Sequence, residues 1–503
     1  MLKNLGTELV FGAKNTLKEI VYRGGRSEFP FVKQVLDTAG IKRIGVIGWG
    51  SQASAQAQNL RDTLHSQNSD TTFKVGLRAE SESIAKAQSV GFEVDSVENT
   101  VRDSDLVMLL ISDSAQTKMY ENVFGWMKSG ATLGLSHGFL IKYLDNVGYT
   151  PRSDINIVGV CPKGMGPSVR KLYELGKTTD GAGINSSIVV EQTSETLDMN
   201  ENKVHAYFHN VPLAWAIGIG SPSVFNTTFR DECVSDLVGE RGILLGALHG
   251  IVESLFIHNM HMNIVDQKYH PSELYHGSFM DAKYLTGQLS KQISKHGLLN
   301  VYKTLKKDQQ VQFRHAYVNA YQLTKPLIEE LYLEVDSGTE LTSVVNRTKL
   351  LEEEGFELDK VSGNSPFWNL PMEHYKIKGL LMHDDHAFNS GVYIGVMMAQ
   401  VDTLLENGHS FTEVVNESIT EAVDSLNPYM YSQGIDYMID NCSVTARVGA
   451  RKWSPRFQQV LINGMMYNEK ITNDPSTAIL FSNFKNHEIH QAEEQLRDYK
   501  PSF

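Results

Sequence analysis

Apolar positions along this chain follow two rhythms. In the first part they form short continuous runs: KRIGVIG (Lys42–Gly48), TTFKVGLR (Thr71–Arg78), DLVMLLI (Asp105–Ile111), ATLGLS (Ala131–Ser136) and INIVGV (Ile155–Val160). Runs of this kind, bounded by turn residues, predict strands buried on both faces. Between them AQAQNLRDTL and DSAQTKMYENVFGWM carry helical spacing, so the alternation predicts a doubly wound α/β sheet. Ser186–Val190 fits a further strand, whereas Thr193–Asn210 is polar and irregular. The first twenty residues mix Lys with Glu at helical spacing.

From about Arg230 the rhythm changes. Apolar residues recur at helical spacing through Asp231–His258, Ser278–His296, Phe313–Tyr332, Ser390–Glu406 and Phe411–Leu426, which predicts an all-helical second part. The expected domains are residues 1–228 and 229–503. The polar stretch Glu352–His386, broken by Gly and Pro, divides the second into parts of 229–351 and 352–503. Each part has a long apolar helix, Asp236–Phe256 or Gly391–Leu405, ahead of HPSELYHGSFMDAKYLTG or HSFTEVVNESITEAVDSL. That suggests a diverged internal duplication with Asp281 in the place of Glu421.

The first strand supplies candidate chemistry. Gly48, Trp49, Gly50, Ser51 and Gln52 follow it and a helix comes next, the setting a dinucleotide fingerprint requires. Gly48 permits a tight turn, Gly50 a close approach of backbone to a pyrophosphate, and the helix N-terminus offers amides to the anion. Ala53 holds the third glycine position. The next strand ends in Arg78, with Ser81 and Ser83 after it. A guanidinium and two hydroxyls suit a 2′-phosphate, hence NADPH. Glu80 and Glu82 share that loop and would repel a phosphate they faced, and Ser81 also suits a helix N-cap. Ligands bind beyond the carboxyl ends of such strands. Ser112, Ser136-His137-Gly138 and the loop Cys161–Pro167, with Lys163 and Gly164, all fall there.

In the second part, the mostly apolar run Ser235–Phe256 carries Asp236 and Glu240 four residues apart, on one helical face. Glu417 and Glu421 repeat the spacing downstream. Each pair alone has an ordinary explanation, such as an acid near a helix N-terminus. Clustered in a buried place, however, carboxylates repel one another without a cation, and hard oxygen donors suit Mg²⁺.

Composition narrows the partners. The 503 residues are 41% hydrophobic and 21% charged, with a net charge of −13, which fits a globular protein of two to four domains and argues against nucleic acid as a partner. Cys161, Cys233 and Cys442 lack zinc spacing and cannot form a disulfide framework, so a reducing compartment is expected. No apolar run reaches the roughly 18 residues of a membrane helix, so no membrane partner is expected. The N-terminus lacks a signal-peptide or transit-peptide pattern. The expected compartment is the cytoplasm of a bacterium, or a plastid stroma if a transit peptide has been removed.

These residues lie in longer motifs: GVIGWGSQ, LSHGF, CPKGMGPSVR, GAGINSS, GERGILLGALHGIVESLF, NESITEAVDSLNP and DNCSVTARVGARKW. Through them nearly the whole chain resembles the ketol-acid reductoisomerase (acetohydroxyacid isomeroreductase) family, in its long, plant-like form. The resemblance implies a Rossmann-type N-terminal domain and a knotted all-α C-terminal domain, with NADPH and two Mg²⁺ ions between them. It implies Asp236 as the ligand bridging both metals, Glu240 on one metal, and Glu417 and Glu421 serving the other side or the substrate. Ser443 would touch the substrate, His137 and Lys163 would lie near nicotinamide and metals, and Arg78, Ser81 and Ser83 would hold the 2′-phosphate. The implied catalytic residues are thus His137, Lys163, Asp236, Glu240 and Glu421. The general base stays open among Glu240, Glu421 and a metal-bound hydroxide.

The implied substrates are small 2-hydroxy-2-keto acids, 2-acetolactate and 2-aceto-2-hydroxybutyrate. They undergo alkyl migration and then NADPH reduction, in valine and isoleucine synthesis. A homodimer or higher homo-oligomer is expected. The chain departs from the family at Glu80, where relatives often have a small or basic residue. The Thr193–Asn210 link looks longer, the Glu352–His386 connection shorter than in plants, and the tail after Phe457 matches poorly. Two rival readings are a hydroxyacid or 6-phosphogluconate-type dehydrogenase, active in EDTA, and a non-catalytic NADPH-sensing scaffold.

Overall fold

The computed structural model describes residues 5–11, 17–195, 210–266, 279–353, 386–467 and 475–499. Most of the Thr193–Asn210 segment, nearly all of the Glu352–His386 connection and the start of HPSELYHGSFMDAKYLTG lie outside them. Two compact units are present. One holds residues 1–10, 15–233 and 495–503, the other residues 11–14 and 234–494.

The first unit is built on a ten-stranded sheet. Its strands are β1 (Gly6–Phe11), β2 (Leu17–Arg23), β3 (Arg43–Ile47), β4 (Thr72–Gly76), β5 (Glu93–Asp95), β6 (Leu106–Leu109), β7 (Thr132–Leu135), β8 (Asn156–Pro162), β9 (Ser186–Gln192) and β10 (Ser223–Asn226). The spatial order is β1-β2-β10-β9-β8-β7-β6-β3-β4-β5. From β5 to β8 all neighbours are parallel. Counted from β3 as the first, this stretch has the order 3-2-1-4-5-6 of a dinucleotide-binding fold, whose switch point lies between β3 and β6. Every residue of β6 and β7 is buried, which is why these strands read as unbroken apolar runs. β9 is antiparallel to β8 and parallel to β10, and β2 closes antiparallel on β10.

The N-terminal segment is not helical as its Lys/Glu spacing suggests. It forms β1 and β2, and Lys18 Nζ meets Glu8 Oε1 at 2.9 Å, both exposed. The charges that looked like a helical face are an outward cross-strand pair, of the kind that stabilises sheet edges.

The second unit is helical, and the run Ser235–Phe256 is not one helix. It belongs to two, Phe229–Arg241 and Gly246–Asp266, separated by a turn at residues 242–245. Buried Gln400, on the helix His386–Glu406, accepts the Ile243 amide at 2.9 Å, and its Oε1 fills the place of a Gly242 side chain. A distant residue thus satisfies the donor that the break exposes. The stretch Phe229–His261 is, by length and composition, apolar enough to cross a membrane, contrary to the expectation from run length. With 78% of its most apolar window buried inside the protein, it is a core element.

Two glycines set the packing of the unit's long helices. A Cβ on Gly391 would stand 2.8 Å from Ala316 Cβ, and one on Gly395 2.6 Å from the Tyr317 carbonyl. His386–Glu406 therefore lies directly against Lys307–Asp336. The predicted helix Phe411–Leu426 begins as α, capped by Ser410, and continues as a π-helix over Val415–Leu426. Tyr284–Leu289 is a second π stretch. Such i→i+5 segments are rare and concentrate at functional sites. Helices at Val444–Tyr467, Pro475–Lys485 and Ile489–Arg497 complete the described tail.

Candidate nucleotide and metal sites

The glycine turn after β3 is built as its sequence requires. Gly48 has φ +95°, and a Cβ there would press Ile111 Cγ2 at 2.8 Å. Gly50 is the N-cap of the helix Ser51–Ser66, and a Cβ on it would meet nothing within 4 Å. The first amides of a helix have no partner within it and suit a phosphate, and the open side of Gly50 leaves room for one to approach the turn. Trp49 packs edge-on to Phe92, centroids 5.0 Å apart. Gln52 Nε2 donates to the Gly164 carbonyl at 2.9 Å, and Gln56 Nε2 to Ser136 Oγ at 2.9 Å. Gly166 has no room for a Cβ because the Ser51 carbonyl occupies it. The turn after β3, Ser136-His137 after β7 and the Cys161–Pro167 loop after β8 are thereby tied together. Ser112, after β6, is exposed and stands at the N-cap position of the helix Asp113–Trp126, with its side chain making no capping bond.

Arg78, Ser81 and Ser83 follow β4 in a compact turn. The Ser81 amide donates to the Arg78 carbonyl at 3.0 Å and the Ser83 amide to Ser81 Oγ at 3.3 Å. Arg78 is exposed, as are Glu80 and Glu82. The N-cap of the following helix is Glu82, not Ser81.

The same unit contains a buried ion pair that sequence reasoning missed. Lys163 Nζ lies 3.1 Å from Glu232 Oε1, each side chain 2% exposed. Glu232 Oε2 accepts the Gly138 amide at 2.6 Å, next to His137. His137 Nδ1 is 3.5 Å from Asp113 Oδ1. The Cys161 thiol is pushed up by burial and by the Glu232 carboxylate, while Lys163 and His137 act the other way. One small region thus holds His137, Cys161, Lys163 and Glu232. The available signal was spacing, because Glu232 stands four residues before Asp236.

The helix Phe229–Arg241 carries Glu232, Asp236 and Glu240 at four-residue intervals, and Glu413, Glu417 and Glu421 repeat that pattern. An Asp236 oxygen lies within 4.8 Å of one on Glu417. Glu417 is fully buried and Glu421 nearly so. The Cys442 thiol is raised by burial, then by the charges of Glu240, Glu421, Asp236 and Asp440. Acids from both elements therefore converge on the residue beside Ser443. Ser443 is exposed, and its Oγ accepts the Ala446 amide at 3.0 Å, capping the helix behind it.

Glu240 departs from the simplest expectation of a metal ligand, because its Oε2 pairs with Arg241 Nη1 at 2.8 Å. Glu413, also missed, accepts Ser235 Oγ at 2.7 Å with both groups buried. That bond clamps the two acid-bearing elements together beside Asp236. Close, buried carboxylates are costly alone and form a hard-oxygen donor set that fits Mg²⁺.

A dinucleotide-type sheet joined to a helical unit with clustered carboxylates defines a nicotinamide-nucleotide oxidoreductase class with an acidic, metal-suited site. A profile described as acetohydroxy acid isomeroreductase, NADPH-binding domain, matches residues 40–222. One described as ketol-acid reductoisomerase, C-terminal domain, matches residues 229–376 and 385–501. The chain belongs to the ketol-acid reductoisomerase family. The chloroplastic ketol-acid reductoisomerase of Spinacia oleracea is 42% identical, over 96% of this chain and 79% of its own length. That of Pisum sativum is 40% identical, over 96% and 81%. The structure of an NADH-preferring ketol-acid reductoisomerase from an uncultured archean shares the fold, with a TM-score of 0.50 and 23% identity over 66% of this chain and 90% of that one.

Proposed function

We propose that this protein converts 2-acetolactate or 2-aceto-2-hydroxybutyrate to the 2,3-dihydroxy acid, with Mg²⁺ and NADPH, in valine and isoleucine synthesis. The observation that carries this reading is the approach of Asp236 and Glu417 oxygens, from two separate elements, to within 4.8 Å, with Glu417 fully buried and Asp236 partly so. In the first step the substrate hydroxyl loses its proton, the alkyl group moves to the adjacent carbonyl carbon, and that carbonyl oxygen takes the electron pair. In the second, hydride adds to the new 2-keto carbon and a proton to its oxygen. When bound, two Mg²⁺ ions polarise both oxygens and NADPH supplies the hydride.

The protein's part is to bind, orient and exclude water. Asp236 and Glu240 would hold the metals, and Glu417 and Glu421 would serve the metals or the substrate. Glu421 is the better base of the two candidate acids, because one Glu240 oxygen is committed to Arg241. Ser443 orients the substrate, and His137 and Lys163 complete the catalytic set. Buried Leu237, Val238 and Ile243 keep the acids dry, which strengthens every charge interaction there.

The deciding assay is NADPH oxidation with 2-acetolactate, with and without Mg²⁺. Turnover should require Mg²⁺ and stop in EDTA. Oxidation of simple hydroxy acids in EDTA would instead support a metal-free dehydrogenase.

Gly48, Trp49, Gly50, Ser51, Gln52, Ser112 and Gly164 line the dinucleotide site, and Arg78, Ser81 and Ser83 hold the 2′-phosphate. Arg78→Ala should raise the KM for NADPH by roughly 10–100-fold, the value of a charge-assisted hydrogen bond, and leave NADH use unchanged. Equal NADPH use by the variant would remove Arg78 from the site.

The chloroplastic relatives favour a plastid as the compartment. A homo-oligomer is proposed with them, to be checked by sedimentation. We also read the two π stretches, each following a long apolar helix, as support for a diverged duplication.

A further inference from the structure

Arg241 is a fully buried guanidinium, and a buried charge is tolerated only where acceptors surround it. Three do. Nη1 donates to Glu240 Oε2 at 2.8 Å, Nε to Glu340 Oε1 at 3.1 Å, and Nη2 to the Thr445 carbonyl at 3.2 Å. The flat group lies on Gly449, where any Cβ would overlap Cζ, Nε and Nη2. Glu340, itself fully buried, also takes Lys452 Nζ at 2.5 Å, and Lys452 Nζ reaches Glu334 Oε2 at 2.8 Å.

Neighbouring residues on a helix do not face each other. The Glu240–Arg241 pair closes because Glu340, Thr445 and Gly449 hold the guanidinium in one place. It thereby connects Glu240 with the turn that presents Ser443.

We propose that Arg241 is a positioning residue for the metal site. It commits one of the two Glu240 oxygens to the protein, so that Glu240 is limited to a single-oxygen ligand. Mg²⁺ demands near-octahedral geometry from single oxygens, whereas Ca²⁺ accepts bidentate carboxylates. Arg241 therefore sets both affinity for Mg²⁺ and preference for it over Ca²⁺. This rests on the reading of Glu240 as a metal ligand.

The test is calorimetric titration of the full-length protein with Mg²⁺ alone and with Ca²⁺ alone. Arg241→Lys keeps the charge but cannot serve three acceptors in a plane. It should weaken Mg²⁺ binding by about 10–100-fold, the usual effect of removing a group that orients a ligand, and weaken Ca²⁺ less. Gly449→Ala displaces the guanidinium without altering any charge and should shift both affinities the same way. It also keeps the question answerable if Arg241→Lys fails to fold.

Glu240→Gln separates the two layers. Unchanged Mg²⁺ affinity in that variant would remove Glu240 as a ligand, and the proposal with it. Weaker binding in Glu240→Gln but unchanged binding in both Arg241→Lys and Gly449→Ala would overturn the positioning role alone. The double variant Arg241→Lys/Glu240→Gln should bind Mg²⁺ no worse than Glu240→Gln, since Arg241 acts through Glu240. A further loss in the double variant would mean a separate structural role and overturn the proposal.

Discussion

Asp236→Asn is expected to abolish both the alkyl migration and the reduction, each falling by at least about 10³-fold, because in the proposed reaction each relies on several kcal/mol of metal polarisation. The amide keeps the size of the carboxylate and loses the charge and the second anionic oxygen that a bridge requires. Asp236 is only partly buried, so the variant should fold. The two steps separate experimentally: 2-acetolactate tests the migration, and the rearranged 3-hydroxy-2-keto acid, supplied directly, tests the reduction. An Asp236→Asn protein that still isomerises 2-acetolactate with Mg²⁺ would sink the bridging role. Loss of migration with normal reduction would restrict Asp236 to the first step.

The second large effect is expected at Glu232→Gln. Lys163 and Glu232 are almost wholly shielded from water, 3.1 Å apart. Breaking a buried ion pair by removing the charge of one partner costs about 3–5 kcal/mol. The glutamine carbonyl can still accept the Gly138 amide, so the loss isolates the charge. It should be read as a lower urea midpoint with an unchanged slope. Lys163→Met/Glu232→Gln removes both charges, keeps an acceptor for the Gly138 amide, and should recover most of that stability while staying inactive. A single Glu232→Gln variant as stable as the parent would show that the pair does not balance charge in the core.

The parallel strands and the nucleotide turn were legible for a local reason. β3, β6, β7 and β8 are covered on both faces, so each is a short unbroken apolar run, and Gly48 marks a positive φ that few other residues adopt. β1 and β2 carry exposed charges along a partly open edge, and β5 is three residues long, so neither gave a comparable signal. The acid spacing on Phe229–Arg241 was legible at Asp236 and Glu240. Glu232 has the same spacing, but its importance depends on Lys163, 69 residues earlier in the chain.

What the sequence determined by itself was therefore everything set by neighbours along the chain. That includes the strand–helix alternation, the glycine turn, the all-helical second part and two acid pairs each on one face. Tertiary structure decided the rest. The turn at residues 242–245 is held by Gln400, 157 residues away, which receives the Ile243 amide, and no periodicity in a mostly apolar run announces that. The exact partners of the acids were decided in the same way. Ser235 ties Glu413 to the first acid helix across 178 residues, and Arg241 reaches Glu340 across 99. Buried charges and amides must be satisfied by whatever the fold brings to them, and that choice is made only when distant segments pack.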